Sequence, residues 1–145
     1  MNPNPEKLTC VSMMICDSIY RDEQTKKLIL VGTFNAITTR TLPCRHPRMS
    51  VIFTLTNGRG KYHLRLSIEH ERSGHEVATL QGPLIVDDPL EVTDVNVELS
   101  DIEFTEEGKY WVVLSADGDI LQQRPLWVKQ ASGSPTPEAS ESRHA

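Results

Sequence analysis

At 145 residues, with 38% hydrophobic and 24% charged side chains, the chain can build one domain with its own core and needs no metal or disulfide to do so. A net charge of −5 supplies no Lys/Arg excess for phosphate backbones or anionic lipid, so neither nucleic acid nor a membrane is an expected partner. No apolar run reaches the ~18–20 residues of a bilayer span, and the N-terminus lacks the charged-then-apolar order of a secretory signal, so the expected compartment is the cytoplasm.

Residues 1–6 are Asn/Pro-rich and are expected to be a flexible N-terminus ahead of a β-domain over 7–129. The first strand is expected over 8–19. Cys10 and Cys16 both fall on it, and six extended residues hold their Cα atoms roughly 20 Å apart. A disulfide needs them within about 7 Å. With an odd count of three cysteines, free thiols in a reducing compartment are expected. Asp17, near the strand's end, reads as a turn or strand-edge acid rather than a site residue. A polar connection, Arg21 to Lys26, leads to a second strand over 27–37. Leu28-Ile29-Leu30-Val31 is apolar at consecutive positions, which predicts a strand covered on both faces.

Cys44-Arg45-His46 is a C-x-H pair. A structural zinc wants four ligands, so the pair alone carries little, and no metal is expected. Arg40, Arg45 and Arg48 are close in sequence and are the candidates for a basic patch on one face. Val51, Phe53 and Leu55 alternate within a strand over 49–56, and Asn57-Gly58 supplies the positive φ angles of a tight turn. The strand over 61–70 sets Tyr62, Leu64, Leu66 and Ile68 on one side and Lys61, His63, Arg65, Ser67 and Glu69 on the other. His63 and His70 differ in parity, which argues against a shared ligand. Further strands are expected over 75–81 and 93–100. Pro43, Pro47, Pro83 and Pro89 are placed between strands or at their ends. The acids from Asp87 to Glu107 lack calcium-loop spacing and read as solvated loop charge. Gly58 and Gly60 precede no helix, so no phosphate loop is expected.

The last two strands, 109–115 and 119–128, form a hairpin about Asp117-Gly118. Gly108 and Tyr110 resemble the tyrosine corner of immunoglobulin-like sandwiches, where the hydroxyl bonds back to upstream backbone. Tyr110 is thus expected to anchor the loop from Leu99 to Glu107. Where antibody domains carry a disulfide cysteine, two residues on, this chain has Val112. If Tyr110, Val112 and Leu114 fill the core, Trp111 and Val113 face outward. Together with Trp127 they form the candidate interface. Residues 130–145 hold Ser, Pro, Glu and Gly but no large apolar side chain, which predicts a disordered C-terminal tail.

Eight expected strands at this spacing give an all-β, antiparallel, immunoglobulin-like β-sandwich of seven to eight strands. The sequence also resembles a family of small uncharacterised bacterial proteins, a domain of unknown function. The resemblance rests on Ile15-Cys16-Asp17, on Lys27 through Gly32 to Phe34, and on the hairpin ending Arg124-Pro125-Leu126. It implies a β-sandwich over about residues 8–129 and carries no known activity. The expected function is a non-enzymatic protein-interaction or assembly module, self-associating through the tryptophan-bearing sheet face. Catalytic residues and cofactors are expected to be none, and the partner a second copy or another protein. The alternative is a small-ligand or carbohydrate-binding sandwich with aromatic platforms.

Overall fold

A computed structural model describes residues 7–131. The expected flexible N-terminus and nearly all of the expected C-terminal tail lie outside the described residues. Within them the chain is all-β, with nine strands: β1 (Thr9–Arg21), β2 (Leu28–Thr33), β3 (Ala36–Thr39), β4 (Cys44–Thr56), β5 (Gly60–His70), β6 (Glu76–Val86), β7 (Val92–Phe104), β8 (Gly108–Ala116) and β9 (Asp119–Gln130). No helix among the described residues is long and apolar enough to cross a membrane.

Two sheets share one core. The first runs β2-β1-β4-β7 and the second β3-β9-β8-β5-β6, and one of them curls into a half-barrel. Alternating apolar residues from both sheets fill the space between: Ile15, Met49, Val51 and Phe53 from the first, Ile68, Tyr110, Val112, Leu114 and Leu126 from the second. The tight turns have the chemistry their geometry demands. Asp117 and Gly118, between β8 and β9, both take positive φ (51° and 90°), the pattern that matches the twist of paired strands.

The expected second strand, 27–37, is two strands in different sheets. Gly32 takes a φ of 74° and ends the extended run. At Asn35 the chain crosses over. The Asn35 carbonyl accepts the Trp127 N–H at 2.9 Å, and its side-chain oxygen accepts Arg124 Nη2 at 2.9 Å. Arg124 Nη1 also donates to the Met13 carbonyl at 3.1 Å, tying the crossing to both layers. Beyond it, β3 runs parallel to β9. The expectation that strand two is covered on both faces does not hold among the described residues: β2 is an edge strand there, and Ile29 and Val31 remain 47% and 46% exposed.

Two prolines also depart from expectation by lying inside strands. Pro47 falls within β4, where pairing with β7 skips from His46 to Arg48 and pairing with β1 begins only at Ser50. Pro83 falls within β6, an edge strand, where a missing N–H need break no ladder bond.

Candidate interaction face

Strand alternation places Lys109, Trp111, Val113 and Ser115 on the outer face of β8, opposite the buried Tyr110, Val112, Leu114 and Ala116. The register with β9 sets Trp127 across from Lys109, Pro125 across from Trp111, and Gln123 across from Val113. Trp111, Val113 and Trp127 therefore share one face. Trp111 and Val113 are half-buried, and Trp127 is 43% exposed. The apolar residues of β2 do not join them, because β2 belongs to the other sheet.

Lys109 organises the aromatic pair. Its ammonium lies 4.5 Å from the Trp111 ring centre and 5.8 Å from that of Trp127. A cation over an indole face is attracted by the ring quadrupole, worth about 0.5–1 kcal/mol at exposed sites. Glu71 completes the cluster. Its Oε2 accepts Trp111 Nε1 at 3.1 Å and lies 3.9 Å from Lys109 Nζ, while its backbone N–H donates to the Lys109 carbonyl at 2.8 Å. Sequence inspection missed Glu71, because it follows β5 in a turn and meets β8 only through sheet pairing.

Beneath this cluster the turns are fixed by a buried histidine and tyrosine. His70 is 3% exposed. Its Nδ1 accepts the backbone N–H groups of Arg72 (3.2 Å) and Ser73 (3.1 Å), so Nε2 carries the proton and donates to the Glu107 carbonyl at 3.0 Å. The tautomer follows from the partners. His70 packs edge-on against Tyr110 at 4.9 Å, and Phe104 does so from another side at 5.1 Å. The Tyr110 hydroxyl donates to the Glu106 carbonyl at 2.7 Å. Burial pushes the Tyr110 phenol above its ordinary range, so it stays protonated, a donor rather than a base. The segment it holds is short: residues expected to form a loop from Leu99 continue β7 as far as Phe104. His70 could be suspected from its parity, since it follows Leu64, Leu66 and Ile68 on the inward face of β5.

The remaining candidates are dispersed. His63, on the outer face, meets Gln81 at 2.7 Å, far from the buried role of His70. His46 packs against Phe34 at 5.6 Å, and burial draws its imidazole below the ordinary value, with Asp17 opposing. Among the described residues no three His, Cys, Asp or Glu side chains gather as a metal site. Cys10, Cys16 and Cys44 are free. Arg45 and Arg48 do not make a basic patch, because each pairs with a carboxylate of β7, Asp101 at 3.9 Å and Glu98 at 3.3 Å. The Asp17 carboxylate lies over the backbone of Gly32, where a Cβ would collide with it.

The family described as a family of unknown function (DUF6941) matches residues 11–129. No curated protein matches the chain. Among solved structures, the Pseudomonas fluorescens alkylpurine DNA glycosylase AlkC bound to DNA containing an abasic site analog is similar, at 12% identity and a TM-score of 0.50. That likeness covers 84% of this chain and only 30% of the other, and it is one of fold alone.

Proposed function

The chain belongs to DUF6941, a family of unknown function, and from that starting point we propose that it is a non-enzymatic, cytoplasmic interaction module that self-associates through the outer face of β8 and β9. The observation that carries this reading is Trp127, 43% exposed on a sheet face beside Trp111, with Lys109 between the two rings. A large aromatic left in water on a flat face stabilises association when covered, at roughly 25 cal/mol per Å² of apolar area removed from water. The face is also self-complementary in charge. Lys109 and Lys129 lie on β8 and β9, whereas Glu69 lies one residue before the end of β5 and Glu71 follows the strand. Two copies meeting face to face about a two-fold axis that runs along the strands would set Lys109 and Lys129 of one toward Glu69 and Glu71 of the other.

The fold is read within the same proposal as an immunoglobulin-like sandwich of bacterial origin. Its support is the packing of β1-β4-β7 against β9-β8-β5-β6 and the Tyr110 hydroxyl bonded to backbone four residues upstream. Three free cysteines favour a reducing compartment. The carbohydrate-platform alternative has less support, because Lys109 covers one face of Trp111 and lies 5.8 Å from the ring centre of Trp127.

The test is solution mass by light scattering after size exclusion, for the wild-type chain and Trp127→Glu. The expected result is a wild-type multiple of 16.3 kDa and a monomeric variant with an unchanged circular dichroism spectrum. A wild-type monomer across a wide concentration range, or a variant of unchanged mass, overturns the reading.

A further inference from the structure

A second surface, separate from the tryptophan face, lies where both sheets end. β7 closes one sheet and β6 the other. Between their open edges is a recess of about 180 Å³ lined by Phe53, Leu64, Leu66, Leu80, Val95 and Val97, among others. Val95 and Val97 point inward in alternation with Leu99, yet they are only half-buried while Leu99 is buried. Leu80, on the facing lip, is 49% exposed. The core is incompletely covered here because, among the described residues, no strand lies beyond β7 in its sheet.

The edge itself is open to pairing. β7 pairs with β4 without a break from Val92 to Ser100, so alternate N–H and C=O groups along that stretch point away from the sheet. Natural edges are usually blunted by Lys, Pro or a bulge. β6 carries Pro83. β7 has neither Lys nor Pro, and its irregularity comes only at Asp101, with a φ of 54°.

Charge selects the occupant. From Asp87 to Glu103 the chain carries seven carboxylates and no Lys or Arg, and Arg45 and Arg48 answer two of them. Pairing β7 of one copy with β7 of another would oppose acid to acid, which is destabilising. The segments outside the described residues do not fit either: residues 132–145 hold no large apolar side chain, and Pro3 and Pro5 interrupt residues 1–6.

We propose that the edge of β7 from Val92 to Ser100 accepts an added strand from a partner protein. The strand is extended, with apolar side chains at alternate positions seated in the recess and Lys or Arg between them facing Asp94 and Glu98. Main-chain bonds give affinity, and the alternate pockets give selectivity.

The probe is the peptide acetyl-Lys-Val-Lys-Val-Thr-Val-Lys-Val-Lys-amide, titrated into the isotope-labelled full chain and followed by amide chemical shift and hydrogen exchange. Amides between Val92 and Ser100 should shift, and those that point away from β4 should exchange more slowly. The same peptide with Glu in place of Lys should bind about tenfold more weakly at low salt, with the difference shrinking as salt screens it. Asn96→Lys, at an exposed position between the two acids, should shrink the preference. Unprotected β7 amides at millimolar peptide, equal binding of both peptides, or no effect of Asn96→Lys in a folded protein overturns the proposal. So does protection of β7 that rises with protein concentration alone, which would give the edge to a second copy.

Discussion

The Tyr110 hydroxyl donates a 2.7 Å hydrogen bond to the carbonyl of Glu106, and this bond joins the end of the β7–β8 turn to the centre of the core. Both ends of the contact are determined by packing: the ring is held edge-on by His70 and Phe104, and the Glu106 side chain accepts Ser73 Oγ at 2.9 Å. Tyr110→Phe keeps the ring and removes the donor, leaving the carbonyl without that partner. A loss of about 1–2 kcal/mol is expected from deleting one such bond. Urea denaturation checks this, and an unchanged midpoint would mean that the hydroxyl contributes nothing net.

Gly108 opens β8 with a φ of 128°, and a Cβ there would stand 2.9 Å from His70 Nε2. Gly108→Ala therefore meets both a backbone conformation that side chains avoid and the ring whose Nε2 bonds the Glu107 carbonyl. The combined cost is expected to reach about 1–3 kcal/mol. Gly82→Ala is the control, since a Cβ there meets nothing within 4 Å and no positive φ is involved. Thermal unfolding of the two variants should separate them clearly; similar melting temperatures would count against the strain account.

The three thiols should differ in reactivity. Cys16 is fully buried, Cys10 is 9% exposed, and burial pushes both thiols above their ordinary range. Less thiolate and less access both slow attack on a disulfide reagent. Cys44 is half-buried. One equivalent of a chromogenic disulfide reagent should react with the native chain, at Cys44, and the other two only on addition of denaturant. Cys44→Ser should abolish the native phase; a native phase of three equivalents would contradict the packing of β1.

Much of this architecture was legible in the sequence, because a period of two is a direct imprint of a half-buried strand. Tyr62, Leu64, Leu66 and Ile68 alternate, and so do the strands they specify; Asp117-Gly118 announced its turn. The failures have a common physical origin in relations between strands. Leu28 to Val31 is apolar at every position, and nothing local reveals that Gly32 and Asn35 pass the chain to the other sheet, since the Arg124 and Trp127 groups that hold Asn35 come about 90 residues later. Pro47 and Pro83 lie inside strands because a missing N–H is tolerated where the ladder is interrupted or the edge is unpaired, and neither condition is visible in the local sequence. At the tryptophan face, alternation put Lys109, Trp111 and Val113 together, but bringing Trp127 and Glu71 to them required the register of three strands.

His46 gives the fold a definite acid response. Its imidazole is drawn below the ordinary value of 6.5, first by burial and against the pull of Asp17. The folded state thus binds its proton less readily than the unfolded chain does. The sign follows from linkage: the contribution is fully present above about pH 6.5 and is lost as pH falls below that value toward the lower folded-state pKa. Stability should therefore decline on acidification through this window, and His46→Phe, which keeps a ring against Phe34, should flatten the decline. Asp17→Asn should steepen it, because the carboxylate is the group that raises the imidazole's affinity for a proton. Urea midpoints measured between neutral pH and about pH 5 provide the check, and proton-decoupled imidazole titration by NMR gives the folded value directly. A His46 that titrates above 6.5 in the folded chain would reverse the predicted slope.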